Sequence, residues 1–553
     1  MKNEYCKPII EQIPRLLSQV DRNPYSPTYG CCTRGYWHHR LTDLPNSQAQ
    51  GLVLTLALVF KYKYPNNIYF KSDKIKEWIF AIMDYWTKIQ HKNGSFDEVY
   101  INQDSFAATT FTSYSISESL LELGDVVPIN LRSKLVKALC KSGDWLIRTR
   151  ESIAMNQTCS SITTLYNIYL LTKNKKYLNG VKKKLAFVIK NQNPEGWLNE
   201  YGKADIGYSF LALDYLAKYY HKTKDQKIVP VVNKLLAFLK YFVHEDGSIG
   251  GLYGSRNTEY LLPHGLELFS RTDKKALNLA NFFIYCLDKG IYSFMRNCVD
   301  DRYFMYLSAN YLQAYNYFNK RKSFKFELPL NTKHRIVFRN SGLVSYNNGS
   351  YHIVLNYKKG GVFQTVFRDF SYTNAGLFGV THDNRVVSTQ QISDGSKLSF
   401  KNDELVVEGN FFAIPKFVSK PFNLLAIKLF NMLAPSILRK FFLDNLRKFV
   451  VNAKPTKITY RMKIKFGKKK IKVEYYINSK IKLKTMKQEN RHIAAMHFAS
   501  SSFYIPQEMM FFHNESPDVS NFLNEKGNVY LITIIDVKNK IVKVDKIGSL
   551  ESY

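Results

Sequence analysis

A helical repeat of about 50 residues dominates residues 1–320 and constrains the fold more than any other feature of the sequence. Apolar residues recur at i, i+3, i+4 and i+7 in successive segments, among them 73–90, 131–147, 175–189 and 229–243. Glycine turns separate such segments, and Gly94, Gly196 and Gly247 lie 102 and 51 residues apart. Repetition at this period predicts helical hairpins stacked side by side, and about six of them fit before Phe318, enough to close a ring.

The pattern changes after Pro329. Short stretches there alternate apolar and polar residues and are rich in β-branched side chains, as in 335–338, 351–355, 404–408, 457–466, 470–477 and 529–535. We therefore predict an α+β multidomain chain: an (α/α) toroid over residues 1–320, followed by an antiparallel β-sandwich domain over residues 321–553.

The charge balance narrows the choice of partner. The chain has 79 Lys and Arg against 45 Asp and Glu, a formal charge of +34, with net +13 before residue 321 and +21 after it. A basic, Tyr-rich chain is expected to meet a polyanion. Nucleic acid is disfavoured, because no binding module is recognisable and the charge is spread along the chain. P-loop, GxGxxG, HExxH and GxSxG motifs are absent, so no cofactor and no metal site is predicted.

A ring of helical hairpins with turns such as Gln90–Phe96 and Gln192–Trp197, followed by an all-β domain, resembles the polysaccharide lyases of the heparinase II/III and alginate-lyase type. The resemblance covers most of the chain in architecture. It implies an enzyme that acts on an acidic polysaccharide by β-elimination at a uronic acid. Toroid glycosidases share the same turn, so the turn by itself does not choose the chemistry.

The resemblance also implies where reactive residues lie. Toroid lyases use an amide or His on one inner helix to neutralise the uronate carboxylate, and a Tyr about one repeat later to handle the proton. Asn156 and Tyr208 lie 52 positions apart at predicted helix starts and match this layout. Family members often have Asn-His where this chain has Asn156-Gln157. Tyr201, shortly before Tyr208, is a candidate substrate-binding residue.

The glycine-rich segment 247–260 is the least like ordinary core. Its glycines suggest a backbone shaped around a ligand. Arg256 is the best candidate for a carboxylate clamp, because a guanidinium forks onto a carboxylate. Asn257 and Glu259 are further substrate-binding candidates, and His264 is a candidate for proton transfer.

Two other places offer polar side chains. Near the N-terminus, aromatic and basic residues suited to a sugar ring with a carboxylate stand together: Tyr36, Trp37, His38, His39 and Arg40. In the sheet domain, the resemblance implies a His that reaches the toroid cavity. The family's Gly-His-x-His signature is absent, so His382, with His352 as a second choice, is selected by position.

Segment 415–451 is unusual within a β-domain, with seven Lys and Arg against one Asp among many Phe, Leu and Ile. Two short helices broken at Pro435, apolar on one face and basic on the other, would suit an anionic membrane surface. The first 17 residues lack a signal-peptide core. The seven Cys are odd in number, and adjacent Cys31 and Cys32 cannot form an ordinary disulfide, so reduced cysteines are expected. We therefore expect a cytoplasmic protein, peripheral on the inner membrane face.

Other classes of function stay open from the sequence. A toroid can hydrolyse glycosides with paired carboxylates or epimerise a uronate at C5. The carboxylates available for hydrolysis are Glu98, Asp104, Glu200, Asp205 and Glu259. A third class is a non-catalytic protein that binds acidic glycan during the assembly of a surface polysaccharide.

Overall fold

The computed structural model describes residues 1–259, 261–290, 299–321, 323–367, 370–401, 403–415, 420–439, 441–442, 445, 453–490, 493–496 and 517–548. Among the sequence predictions, Tyr260 at the end of the glycine-rich segment and parts of segment 415–451, including most of 443–451, lie outside the described residues.

The first part of the chain is helical, as predicted. Its helices are α1 (Asn3–Ile10), α2 (Ile13–Leu17), α3 (Arg34–Trp37), α4 (Leu52–Lys61), α5 (Asp73–Lys88), α6 (Phe106–Leu123), α7 (Ile129–Arg148), α8 (Met155–Thr172), α9 (Lys175–Asn191), α10 (Ile206–Thr223), α11 (Ile228–Leu239), α12 (Pro263–Phe269), α13 (Lys274–Asp288) and α14 (Asp301–Asn316).

The even-numbered helices from α4 to α14 form an inner ring. Each packs against the next, and α14 returns to α4. The helices α5, α7, α9, α11 and α13 form an outer layer, which α1 completes by packing against α13 and α14. The inner helices all begin at one end of the ring, here called the mouth. The predicted (α/α) toroid is confirmed.

The glycine turns explain the repeat. The side-chain amide of Gln90 donates to the carbonyls of Gly94 (3.3 Å) and of Ala138 on α7 (2.8 Å). Gly94 has φ +96°, and a Cβ there would lie 2.2 Å from a carbonyl oxygen of α7. Gln192 and Gly196 repeat this arrangement against α11. Each turn therefore docks onto the next outer helix, and only glycine permits the approach.

The second part of the chain is an antiparallel β-sandwich. Its strands are β1 (His334–Phe338), β2 (Leu343–Asn347), β3 (His352–Asn356), β4 (Val362–Phe367), β5 (Phe370–Asn374), β6 (Gly376–Thr381), β7 (Val386–Ser388), β8 (Lys397–Lys401), β9 (Glu404–Ile414), β10 (Lys454–Phe466), β11 (Lys470–Ser479), β12 (Leu483–Glu489), β13 (Asn528–Asp536) and β14 (Ile541–Gly548). The first sheet has the order β1-β2-β3-β4-β5. The second has the order β12-β6-β7-β9-β10-β11-β13-β14, and β8 pairs with β9.

The first sheet lies between the toroid and the second sheet. Phe363 from one sheet and Met462 from the other belong to the core that the two sheets share. On the opposite face, Val354 joins the toroid core, and the Phe338 ring lies 5.0 Å from that of Phe238 on α11. The predicted domain boundary at 320–321 falls between α14 and β1. No helix in the described part of the chain has the length and hydropathy to cross a membrane.

A helical insertion follows β9. Helix α15 (Pro421–Leu433) ends before Pro435, and residues 436–439 are again helical. Lys428 forms an ion pair with Asp43 (3.0 Å), and Arg439 forms one with Asp104 (3.4 Å). Both acidic residues precede inner helices, so the insertion lies against the mouth of the toroid. A short helix, α16 (Ser520–Lys526), packs on β12.

Candidate active site

A cleft of about 230 Å³ lies where the toroid meets the sheet domain, and we call it the junction cleft. Its toroid wall includes Tyr201, Lys203, Ser255, Arg256 and Asn257. Its sheet wall includes Lys359, Gln390, Gln391 and Asp394. Three residues predicted from the sequence to bind substrate or a carboxylate, Tyr201, Arg256 and Asn257, therefore line one cleft.

Arg256 lies over an aromatic ring. Its guanidinium lies 4.0 Å from the centre of the Tyr201 ring. Tyr201, in the loop before α10, adopts φ +55°. A guanidinium placed over an aromatic ring can bind a carboxylate with two parallel hydrogen bonds, so this pair suits a sugar carboxylate.

Asp205 joins the cleft wall to the start of α10. Its buried carboxylate accepts hydrogen bonds from the backbone N–H of Arg256 (2.8 Å), from that of Tyr208 (3.2 Å) and from the hydroxyl of Thr258. Burial raises the pKa of Asp205, and these donors oppose the rise. Asp205 is the N-cap of α10, so one carboxylate binds the backbone N–H groups of both Tyr208 and Arg256.

Asn156 is bound to Glu200 beneath the cleft. Its backbone N–H and its side-chain amide both donate to the Glu200 carboxyl group, each at 2.7 Å. Burial raises the pKa of Glu200 well above its usual range. The Glu200 carbonyl accepts a bond from the hydroxyl of Ser255 (2.7 Å), a residue of the cleft wall. Asn156 is therefore one layer behind the cleft surface.

Tyr208 is half-buried and lies toward the interior of the mouth. It is close enough to Tyr306 on α14 to add to the rise in the pKa of Tyr306, which burial mainly causes. Beside them, Arg302 at the start of α14 forms an ion pair with Glu98. Tyr208 thus belongs to the mouth, and Asp205 connects it to the junction cleft.

At the junction cleft, Lys359 is a side chain of the sheet domain that bonds to the toroid. The Lys359 ammonium donates to the carbonyls of Leu252 (2.6 Å) and Gly254 (2.7 Å) and to the side chain of Asn257 (2.5 Å). Sequence reasoning missed Lys359, and the only signal near it was the glycine pair that follows it, Gly360 and Gly361.

His382 does not lie at the cleft. It is exposed in the turn between β6 and β7. Gln390 of the cleft wall donates to the carbonyl of Ala375, at the other end of β6. Six residues of extended strand place His382 about 20 Å from that end. The second choice, His352, is buried between the toroid and the first sheet, beside Ser345.

His264 lies inside the ring. Its Nδ1 is 3.5 Å from a carboxylate oxygen of Asp214, and its ring lies 5.2 Å from that of Tyr317. Burial lowers its pKa. Glu259 is also buried, near Tyr253, whose pKa its charge helps to raise. Neither side chain lines the junction cleft.

The predicted aromatic and basic cluster at residues 36–40 stands apart from the cleft. It comprises α3 and the turn after it, and the Trp37 indole donates to the carbonyl of Gln19 (2.9 Å). Arg40, with φ +53°, is exposed. The cluster borders the mouth near Asp43, on the side where the insertion lies. Within the described residues, no three His, Cys, Asp or Glu side chains group as a metal site would require.

Residues 70–262 match the Ulvan lyase N-terminal domain. The matched segment holds Asn156, Glu200, Tyr201, Asp205, Tyr208 and Arg256. A search of curated proteins gave no match.

Two solved structures share the fold. A Paenibacillus xanthan lyase is 9% identical with a TM-score of 0.52, over 88% of this chain and 46% of that one. A Streptomyces coelicolor A3 chondroitin AC lyase in complex with chondroitin sulphate is 9% identical with a TM-score of 0.53, over 88% and 68%. This chain thus spans less than half of the xanthan lyase. The predicted combination of toroid and β-sheet domain is confirmed, and the family match supports a polysaccharide lyase.

Proposed function

We propose that this protein is a polysaccharide lyase that cleaves an acidic polysaccharide by β-elimination at a uronic acid. The observation that carries the proposal is the match of residues 70–262 to the Ulvan lyase N-terminal domain. That segment contains Asn156 and Tyr208 at the starts of neighbouring inner helices, together with the stacked pair Arg256 and Tyr201.

The reaction removes the proton at C5 of the uronate, breaks the bond from C4 to O4, and leaves a double bond between C4 and C5. Neutralising the carboxylate makes the C5 proton acidic, and Arg256 in the junction cleft is assigned this role. Tyr208 is assigned both proton transfers: its phenolic oxygen takes the C5 proton and returns a proton to O4, which departs as a hydroxyl group. Asn156, which Glu200 holds one layer behind the cleft surface, is assigned a supporting role beneath the Ser255 side of the cleft wall. The sugar chain would run from the junction cleft to the mouth.

The bonding partners of the carboxylates favour elimination over a hydrolysis that uses a pair of acidic residues. Glu200 and Asp205 are buried and bound by N–H or O–H donors. Glu98 and Asp104 pair with Arg302 and Arg439. Among the described residues of the cleft wall, Asp394 supplies the carboxylate, and it forms ion pairs with Lys203 and Lys358. A pair of free carboxyl groups flanking a glycosidic bond is what hydrolysis needs.

The test is incubation of the whole chain with a panel of uronate polymers, following ultraviolet absorbance of the unsaturated product. We expect product from at least one polymer and little from Arg256→Met. A folded protein that gives no unsaturated product on any polymer would refute the lyase. Uptake of deuterium at C5 without cleavage would indicate an epimerase, and glycan binding without turnover would indicate a binding protein.

We also propose that the insertion holds the protein on an anionic membrane at the cytoplasmic face. Phe422, Leu433 and Phe441 are 77%, 81% and 68% exposed, although all three are large and apolar. Exposed apolar side chains on a helix next to basic residues such as Lys420 are typical of interfacial helices. Because the insertion lies against the mouth, attachment would bring the mouth near the lipid surface.

Co-sedimentation with vesicles tests this attachment. We expect binding to vesicles containing phosphatidylglycerol, weaker at high salt, and loss of binding in the triple variant Phe422→Ser, Leu425→Ser and Leu433→Ser. The control is Ile68→Ser, which removes an equally exposed apolar side chain (82%) at the other end of the ring. Equal sedimentation of the triple variant and the control, or none by wild type, would contradict the proposal.

A further inference from the structure

Lys359 is a lysine whose side chain is buried at the contact between the two domains, with 5% of the residue exposed. It follows β3, and the next two residues, Gly360 and Gly361, both have φ +72°. A Cβ on Gly360 would lie 2.3 Å from the carbonyl oxygen of Thr389. The turn that carries Lys359 is therefore seated tightly in the sheet domain.

The Lys359 ammonium has three N–H donors, and three acceptors surround it. Two are the backbone carbonyls of Leu252 and Gly254, and the third is the side-chain oxygen of Asn257. All three belong to the glycine-rich segment of the toroid. Asn356, three residues earlier, donates to the carbonyl of Tyr253 in the same segment (2.7 Å). One turn of the sheet domain thus binds one loop of the toroid through side-chain hydrogen bonds.

The loop bound by this turn has an unusual backbone, with hydrogen bonds of its own from Gly251 N–H to the Thr258 carbonyl (3.3 Å) and from Gly254 N–H to the Gly251 carbonyl (2.9 Å). Gly250 and Gly251 have φ +69° and +118°, and Asn257 has φ +56°. Residues in these conformations persist where surrounding contacts determine them. On the toroid side, the loop is tied through Ser255 to the Glu200 carbonyl, and through the N–H of Arg256 and the hydroxyl of Thr258 to the Asp205 carboxylate. The opposite side depends on Lys359 and Asn356.

We infer that Lys359 is a positioning residue of the sheet domain that fixes the glycine-rich loop and thereby sets Arg256 and Asn257 in the junction cleft. The inference rests on the proposed lyase function where it is tested by enzyme activity. Where it is tested by the order of the loop, measured by amide hydrogen exchange, it does not depend on that function. Lys359 is not assigned to proton transfer, because protein acceptors take all three of its N–H groups.

This arrangement is sensitive to pH. Burial, with a smaller contribution from the charge of Arg256, lowers the pKa of Lys359 to about 7, while Asp205 opposes the change. A neutral amine has two N–H groups for three acceptors. Raising the pH above about 7 therefore leaves one buried acceptor of the loop without its donor.

The experiment compares wild type with Lys359→Met, using Lys401→Met, an exposed lysine of the same domain, as the matched control. Amide hydrogen exchange over residues 252–257 is measured by mass spectrometry, and KM and kcat are measured on a polymer that the wild type cleaves. For Lys359→Met we expect at least about tenfold faster loop exchange and a KM raised by at least about tenfold, the equivalent of losing one charge-assisted contact.

The pH profile separates positioning from a general loss of packing. In wild type, loop protection, corrected for the intrinsic exchange rate, and kcat/KM should both fall as the pH rises above about 7. In Lys359→Met, both should lack this alkaline decline. If Lys359→Met does not fold, the pH dependence of loop exchange in wild type still tests the inference.

The inference would be overturned if the loop exchanged equally fast in Lys359→Met and in the control. It would also be overturned if wild-type protection stayed constant from pH 6 to 9, a range that spans about one pH unit below and two above the value where the amine titrates. If wild type cleaves no polymer, the lyase proposal fails, while the exchange measurement still tests Lys359.

Discussion

Glu200 accepts both the backbone N–H and the side-chain amide of Asn156, each at 2.7 Å, so one carboxyl group fixes the first turn of α8. The two residues come from neighbouring repeats of the ring, 44 positions apart. The carbonyl of Glu200 also accepts a hydrogen bond from Ser255 of the cleft wall (2.7 Å). This buried pair therefore joins the start of α8 to the wall of the junction cleft.

Changing Glu200 to Ala should leave two buried donors of Asn156 without acceptors. Each such donor costs about 1–3 kcal/mol, so we expect the free energy of unfolding to fall by about 2 kcal/mol or more. Urea unfolding followed by circular dichroism measures this loss. Glu525→Ala, on the exposed face of α16, is the control and should change stability by less than about 0.5 kcal/mol. Similar values for the two variants would show that the pair contributes nothing.

Changing Tyr208 to Phe should stop the proton transfer without disturbing the fold. Because general acid–base groups contribute about 10²–10⁴-fold, we expect kcat to fall by at least about 10²-fold while the melting temperature stays close to that of wild type. Tyr25→Phe, at a tyrosine that is 94% exposed, is the control. Full activity in Tyr208→Phe, with loss in Asp205→Asn and Glu259→Gln, would favour hydrolysis instead.

The repeat was readable from the sequence because the turn glycines stand at fixed offsets. A further copy of the turn was missed. Gly30 also packs on an outer helix, with its Cβ position 2.1 Å from the Ala81 carbonyl oxygen. The glutamine that corresponds to Gln90 and Gln192 is Gln50, which lies 20 residues after Gly30 and donates to its carbonyl. In the turns at Gly94 and Gly196 the glutamine stands four residues upstream, so the same local motif does not mark this copy.

The candidate site was only partly readable, for a related reason. Tyr201, Arg256 and Asn257 stand at loop ends that the helical repeat already places at the mouth. Lys359 meets its partners across more than 100 residues, through the docking of one domain on another. No local pattern encodes that docking. His382 was selected by its position in the sequence without a supporting motif, and the strand direction of β6 takes it away from the cleft.

Three histidines make stability depend on pH. Ser345 Oγ lies 2.8 Å from His334 Nε2 and 2.9 Å from His352 Nε2, and the His244 ring lies 6.4 Å from that of His352. Burial lowers the pKa of all three, and the other two imidazoles lower that of His352 further. Of the charges nearby, Asp246 raises the pKa of His244 and Lys240 lowers that of His334.

At these three positions the unfolded chain, whose histidines titrate near about 6.5, therefore binds more protons than the folded chain below that pH. We expect their contribution to the free energy of unfolding to fall as the pH is lowered from about 7 to about 5. His352→Gln should reduce this slope, whereas His382→Gln, at an exposed His, should leave it unchanged. Urea unfolding at a series of pH values measures it. A slope that His352→Gln does not alter would refute this account.

Changing Gly94 to Ala should destabilise the toroid, because the new Cβ would lie 2.2 Å from the Lys141 carbonyl oxygen and the backbone has φ +96°. The positive φ alone costs about 1–2 kcal/mol, and moving α7 to relieve the contact adds to it. We therefore expect a loss of at least about 2 kcal/mol in urea unfolding. Gly35→Ala is the matched control, since a Cβ there meets nothing within 4 Å. Equal stability of the two variants would mean that the turn does not dock on α7 as described, and the explanation of the repeat would fail with it.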